Sequence, residues 1–161
     1  MKKIVITGPS GAGKTNLIDQ LKDKGYTTVN ETARRVFDST FTDDPYLIQR
    51  DILFNQMATE MKIANQDHDL VIFDRGIPDA LGFANYQDIN FPFTIGYYYD
   101  LVFYLPPNKE ADFSNRVEED GKEAQYVFKK YILPYYEQQY PEKPIIKKLR
   151  KPYLENFLNN L

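Results

Sequence analysis

Lys3-Ile4-Val5-Ile6-Thr7-Gly8-Pro9-Ser10-Gly11-Ala12-Gly13-Lys14-Thr15 decides how this chain is read. Lys3–Thr7 is β-branched and apolar and stops at a glycine, as a short buried strand does. Gly8 to Thr15 then fills every fixed position of the Walker A pattern G-x-x-x-x-G-K-[ST]. Asn16–Lys24 reads as a helix, with Leu17, Ile18 and Leu21 on one face and Gly25 as its stop. A strand, a glycine-rich loop and a helix, in that order, form the context the pattern requires. Glycines let the backbone wrap around phosphate oxygens and offer them its N–H groups. The helix that follows points its positive end at the same anion. Gly8, Pro9, Ser10, Gly11, Ala12, Gly13, Lys14, Thr15 and Asn16 are therefore the expected nucleotide-binding set. Lys14 would reach the β- and γ-phosphates, and the Thr15 hydroxyl would ligate Mg²⁺.

Strand and helix patterns alternate outward from this motif. Tyr26–Asn30, Leu70–Phe73, Leu101–Leu105 and Ile145-Ile146 read as further strands. Glu31–Asp38, Tyr46 to about Gln66, Ile77–Tyr86 and Glu123–Tyr140 read as helices, the last kinked or broken at Pro134. A closing helix is expected over Pro152–Leu161. On the long helix the apolar stripe is Leu47, Phe54, Met57, Met61 and Ala64. Asn90–Tyr99 is aromatic and irregular, and Asn108–Lys122 is charged and loop-like. The alternation predicts an α/β fold, a parallel sheet with helices on both faces.

With 161 residues the chain is expected to form one domain, since domains run to roughly 100–200 residues. Apolar residues are 42% and charged residues 27%, which excludes a disordered chain. No apolar run approaches the roughly 18 residues of a membrane span, and the four apolar residues near the start are too few for a signal peptide. A cytoplasmic location is expected. The net charge of −3 argues against an extended nucleic-acid partner. Zero cysteines exclude disulfides and thiol nucleophiles, and a single histidine, His68, excludes a His-rich zinc site.

Two further segments place charge at strand ends, where ligands sit in such sheets. Leu70-Val71-Ile72-Phe73 runs into Asp74-Arg75-Gly76. Asp74 could hold Mg²⁺ or take a proton from an acceptor hydroxyl, and Arg75 offers a planar fork of donors to an anion. Glu31-Thr32-Ala33-Arg34-Arg35 follows the second strand in the same way, though Glu31 would also suit an ordinary helix start. In the charged loop Arg116 is the one arginine, suited to a closing lid over about 106–123. Phe54 and Gln56 could touch an acceptor, while the many tyrosines read mostly as core and rim filling. Asn108-Lys109-Glu110-Ala111 lacks the final Asp of the guanine-reading N-K-x-D, which disfavours a Ras-like GTPase.

Taken together, GPSGAGKT, NETARR, VIFDRGIPDALGFA, VFYLPP and the segment Asn115-Arg116-Val117-Glu118 resemble the AAA_28-type P-loop domain over about residues 3–160. That family includes the ribosylnicotinamide-kinase part of the bifunctional NadR protein and lies near thymidylate and deoxynucleoside kinases. The resemblance implies a three-layer P-loop NTPase fold with five parallel strands in the order 2-3-1-4-5. It implies ATP, with GTP as the alternative, together with Mg²⁺ at Thr15 and Asp74. It makes Lys14, Asp74, Arg75, Arg116 and Glu31 the catalytic candidates and Glu31, Arg34, Arg75 and Gln56 the acceptor-binding ones, with Leu149–Pro152 flanking the nucleotide base. The implied activity is a Mg-dependent small-molecule kinase acting on a nucleoside- or nucleotide-like acceptor, with a homodimer allowed. The rival reading is an NTP-binding or hydrolysing switch without a small-molecule acceptor, working through a protein or lipid partner.

Overall fold

The computed structural model describes residues 1–107, 118, 120–138 and 144–148. Five strands form one sheet: β1 (Lys2–Thr7), β2 (Thr28–Val29), β3 (Leu70–Asp74), β4 (Leu101–Tyr104) and β5 (Ile145–Lys148). Their order is β2-β3-β1-β4-β5 and every neighbouring pair is parallel, as the resemblance implies. The register sets Ile6 beside Asp74 on one side and beside Phe103 on the other. β1 is thus the central strand, and the loop that follows it opens at the carboxyl edge, next to the end of β3.

A central parallel strand is covered on both faces, so its residues alternate between two cores. Ile4 and Ile6 pack with Leu17, Ile18 and Leu21 of α1 (Lys14–Asp23). Val5 faces the other way, toward Phe73, Tyr99, Phe128 and Tyr136. A third cluster, including Val36, Ile52, Leu53 and Ile77, joins α2 (Thr32–Ser39), α3 (Pro45–Ala64) and α4 (Ile77–Tyr86). Among the described residues no helix is long and apolar enough to cross a membrane.

Two expectations are corrected. The buried face of α3 is Gln49, Ile52, Leu53, Gln56 and Glu60, whereas Phe54, Met61 and Ala64 of the expected stripe are exposed. Gln56 and Glu60 turn inward because Thr32 and Tyr99 meet them there, and Gln49 because it lines a cavity. Phe54 instead stacks outside on Phe93, at a centroid separation of 6.0 Å. The second concerns the form of the irregularity at Pro134: the helix does not end there but widens just before the proline. α5 (Gly121–Val127) passes through a π turn at Phe128–Ile132 into α6 (Leu133–Glu137). Leu133 N–H donates to the Phe128 carbonyl, five residues back, and the wider turn accommodates the proline's missing N–H and its ring. The closing helix over 152–161 and most of the expected lid lie outside the described residues.

Candidate active site

The loop after β1 turns on glycines. Gly8, Gly11 and Gly13 have φ of 138°, 75° and 83°, a region that side-chain-bearing residues seldom adopt. Gly8 has a second reason to be glycine, because a Cβ there would lie 2.6 Å from the Leu105 carbonyl oxygen. Gly13 caps α1, so Lys14 begins the helix and its side chain folds back over the loop. Lys14 Nζ donates to the Pro9 carbonyl at 2.8 Å and to the Gly8 carbonyl at 3.2 Å. Burial, aided by the charge of Arg75, pulls the Lys14 ammonium down to about 7, against the pull of Glu31, Asp74 and Asp79. A phosphate in this loop would supply the negative charge that favours the ammonium. Asn16 lies on the exposed side of α1, where it accepts from Gln20 at 3.4 Å.

Asp74 ends β3 beside this helix start, and Thr15 Oγ1 donates to Asp74 Oδ2 at 2.9 Å. Asp74 is 1% exposed, and its Oδ1 has no hydrogen-bond partner among the described residues. Burial first, then the charge of Glu31, pushes its carboxyl up to about 6. A desolvated carboxylate with an unused oxygen beside a hydroxyl is an oxygen donor set that a hard divalent cation fits. Thr15 and Asp74 are therefore suited to Mg²⁺, as the sequence pattern suggests.

Arg75 follows with φ 68°, left-handed backbone for a bulky residue. Such strain persists where surrounding groups over-determine it. The next two amides are pinned: Gly76 N–H donates to Asp79 Oδ2 at 3.0 Å and Ile77 N–H to the Tyr99 hydroxyl at 2.9 Å. The turn aims the guanidinium back across the sheet edge. Arg75 Nε donates to Glu31 Oε1 at 2.8 Å, and Nη1 to Asp79 Oδ1 at 2.8 Å and to the Gly8 carbonyl at 3.4 Å. Burial opposes the guanidinium charge, but Glu31, Asp79 and Asp74 outweigh it and hold Arg75 above its usual range. Glu31 experiences the same balance in reverse. Burial works against its charge, yet Arg75 and Lys14 keep its carboxylate below the usual value. Glu31 caps α2 without a side-chain capping bond, so its carboxylate serves the arginine rather than the helix end.

These groups border a cavity of about 820 Å³, inside the roughly 300–1,000 Å³ range of small-molecule sites. Glu31, Arg34, Gln56 and Arg75 all line it, and Ser10 of the glycine-rich loop forms part of its wall. The structure thus brings together Lys14, Thr15, Glu31, Asp74 and Arg75 around the end of the sheet. Arg34 sits at the cavity with its charge facing Glu31, whereas Arg35 reaches Thr59 at 3.4 Å. The Gln56 amide is already committed: Thr32 donates to its oxygen at 2.6 Å, and its nitrogen donates to Glu60 at 2.9 Å. Arg116, Asn108–Ala111 and Leu149–Pro152 lie outside the described residues.

Several residues that shape the site were not singled out by the sequence reading. Gln49, two helical turns before Gln56 on the same face, is 3% exposed and lines the cavity, and its Oε1 has no partner among the described residues. Glu118 is buried and accepts from Ser10 Oγ at 2.7 Å, joining the segment before α5 to the glycine-rich loop. Glu60 accepts from the Tyr99 hydroxyl at 2.6 Å, and burial raises its pKa. Asp79 takes four hydrogen bonds, described further below.

Comparison with known proteins agrees with this architecture. A search of curated proteins returned no match. Two solved structures of deoxyadenosine kinase from M. mycoides are similar in fold. One, with the products dCMP and a flexible dCDP bound, has 18% sequence identity and a TM-score of 0.67, covering 99% of this chain and all of that one. The other, with bound dATP, has 18% identity and a TM-score of 0.59, covering 98% of each chain. The family model AAA_28, described as an AAA domain, matches residues 3–147. That span runs from β1 into β5 and takes in the glycine-rich loop, the Asp74-Arg75-Gly76 turn and the cavity wall, so this chain belongs to the AAA_28 family of AAA domains.

Proposed function

We propose that the protein transfers the γ-phosphoryl group of ATP, with Mg²⁺, to a hydroxyl of a nucleoside-like acceptor. The observation that carries this reading is Glu31: a carboxylate kept ionised by Arg75 lines an 820 Å³ cavity whose wall includes Ser10 of the phosphate loop. A triphosphate tail in the loop and an acceptor in the cavity would meet at one place. The loop glycines and Lys14 hold the tail, and Arg75 keeps Glu31 charged and in place. Glu31 takes the hydroxyl proton as the acceptor oxygen bonds to the γ-phosphorus and the bond to the β-phosphate oxygen breaks, leaving ADP. Thr15 and Asp74 would hold Mg²⁺, which when bound would supply charge neutralisation on the phosphate oxygens.

The cavity wall favours a hydroxyl acceptor over a phosphate. It carries the acids Glu31, Asp38, Asp79 and Glu118 against the bases Arg34 and Arg75, and Arg75 is already engaged by two carboxylates. An incoming phosphomonoester would face an excess of like charge. Gln49 Oε1, buried and unpartnered, offers an acceptor lone pair to a donor on the ring or base. The deoxyadenosine kinase likeness supports a nucleoside as that acceptor. The test is a product screen with Mg-ATP or Mg-GTP against nucleosides, ribosylnicotinamide and nucleoside monophosphates. Nucleosides should be phosphorylated and monophosphates left untouched, and Glu31→Gln should lower the rate by about a hundredfold or more. ATP hydrolysis indifferent to every acceptor would refute this reading and support the switch.

A further inference from the structure

Asp79 is 1% exposed, and its carboxylate is surrounded by donors from four directions. Oδ1 accepts from Thr7 Oγ1 at 2.7 Å and from Arg75 Nη1 at 2.8 Å. Oδ2 accepts from Gly76 N–H at 3.0 Å and from the Tyr136 hydroxyl at 2.5 Å. Thr7 is the last residue of β1, Gly76 belongs to the strained turn, and Tyr136 comes from α6. Asp79 is therefore fixed independently of Arg75, on anchors from three separate elements.

That fixed carboxylate determines how Arg75 meets Glu31. A guanidinium facing one free carboxylate closes a two-pronged pair that occupies both oxygens. Here the Nε/Nη2 edge of Arg75 faces Glu31 but is tilted, so that only one of its two nitrogens bonds the carboxylate. Nη1 is held by Asp79 and Nε alone reaches Glu31, on Oε1. Among the described residues no hydrogen bond is formed to Glu31 Oε2, and Glu31 lines the cavity. A base needs such an oxygen, since one already bonded to the guanidinium is a poorer proton acceptor.

We propose that Asp79 is a positioning residue, which holds Nη1 and so fixes the tilt of Arg75 that keeps Nη2 off Glu31 and leaves one Glu31 oxygen for the acceptor hydroxyl. The inference rests on the proposed role of Glu31 as base. Without the Asp79 charge, Arg75 swings onto Glu31 with two nitrogens and the acceptor loses its proton partner. Nucleotide binding by the glycine-rich loop changes little, because Lys14 is held by the Pro9 and Gly8 carbonyls and forms no hydrogen bond to Asp79.

The experiment is Asp79→Asn in the full chain, read by acceptor phosphorylation, by binding of a non-hydrolysable ATP analogue, and by NMR of the arginine side-chain N–H groups. Should Asp79→Asn fail to fold, Asp79→Ser, which retains an acceptor for the Gly76 N–H, takes its place. The expected result is a fall in kcat of about a hundredfold, with analogue binding and the acceptor KM little changed. The Arg75 Nη2 signal, which Asp79 does not bond, should shift in Asp79→Asn and lose that shift when Glu31→Gln is added. Glu31→Gln should cost little in the Asp79→Asn background, although it disables the parent protein. Tyr136→Phe, which removes a donor from the other oxygen, should leave kcat near the parent value. A loss of analogue binding in step with kcat, or additive effects of the two substitutions, would overturn the proposal. An Arg75 Nη2 signal that stays in place in Asp79→Asn would overturn it independently of activity. A parent protein that phosphorylates no acceptor would instead refute the proposed function.

Discussion

Gly76→Ala is expected to destabilise the fold by steric conflict alone, and Tyr99→Phe to recover part of the loss. The Gly76 backbone is extended, at φ −128° and ψ −175°, so alanine meets no conformational strain there. An added Cβ would lie 2.6 Å from the Tyr99 hydroxyl, 2.8 Å from the ring carbon bearing it and 3.1 Å from the Tyr136 hydroxyl. Neither ring can retreat. Both are fully buried, their centroids are 5.9 Å apart, and Phe73 packs edge-on against Tyr99 at 6.3 Å. Overpacking of this kind costs about 1–3 kcal/mol. Tyr99→Phe alone costs about 1–3 kcal/mol as well, because it strands the Ile77 N–H and removes a donor from Glu60. In the double variant the atom at 2.6 Å is gone while the carbon at 2.8 Å remains. Relief is therefore partial, and the two costs should fall short of their sum by about 0.5–2 kcal/mol. Urea denaturation of the four proteins with a common slope measures this directly. Additive costs, or a Gly76→Ala protein as stable as its parent, would refute the steric argument.

Three further outcomes follow from named contacts. Lys14→Met should abolish turnover yet stabilise the nucleotide-free protein. The folded-state pKa of Lys14, about 7 against 10.5, lies below its unfolded value, so the unfolded chain holds the proton longer and parent stability rises with pH above 7. The rise should reach about 2 kcal/mol by pH ~9, before most tyrosine ionisation, and Lys14→Met should flatten it. An equally steep profile in the variant would count against this. Asp74→Asn should abolish Mg-dependent phosphorylation while leaving the Tm within a few degrees of the parent or higher, since burial already disfavours the charge there. Unchanged activity would remove Asp74 from the metal site. Gly82→Ala should lower stability by about 1–3 kcal/mol, because its Cβ would lie 2.6 Å from Ile132 Cγ1 and 2.7 Å from the Tyr131 carbonyl. Thermal melts check this, and an unshifted Tm would mean that the π turn yields freely.

The parts of the site that sequence reveals are those set by local spacing. Gly8 to Thr15 are contiguous, so the fixed positions of one pattern name the loop, its lysine and its hydroxyl together. Asp74 and Arg75 stand out because four apolar residues lead straight into them. The element order follows from alternating periods, and the observed strands overlap all five expected ones. What stays hidden depends on distant partners. Gln49 and Glu60 lie on the Gln56 face at helical spacing, and nothing local shows that the cavity and Tyr99 draw them inward. Asp79 reads as an ordinary acid in the first turn of a helix, and nothing local shows that Thr7 and Tyr136 converge on it. Gly76 follows the motif arginine without any sequence sign that two tyrosines press against it.

The close approach of Gly8 to Leu105 bears on how the protein is made. A ribosome releases the glycine-rich loop well before the backbone that Gly8 rests against, which arrives only with Leu105, whose N–H also bonds the Thr7 carbonyl at 2.9 Å. Joining the two closes a long span of chain, an entropic cost met late in folding. A nascent chain halted before β4 would carry the motif in full without its scaffold, and nucleotide should protect only chains long enough to have added that strand.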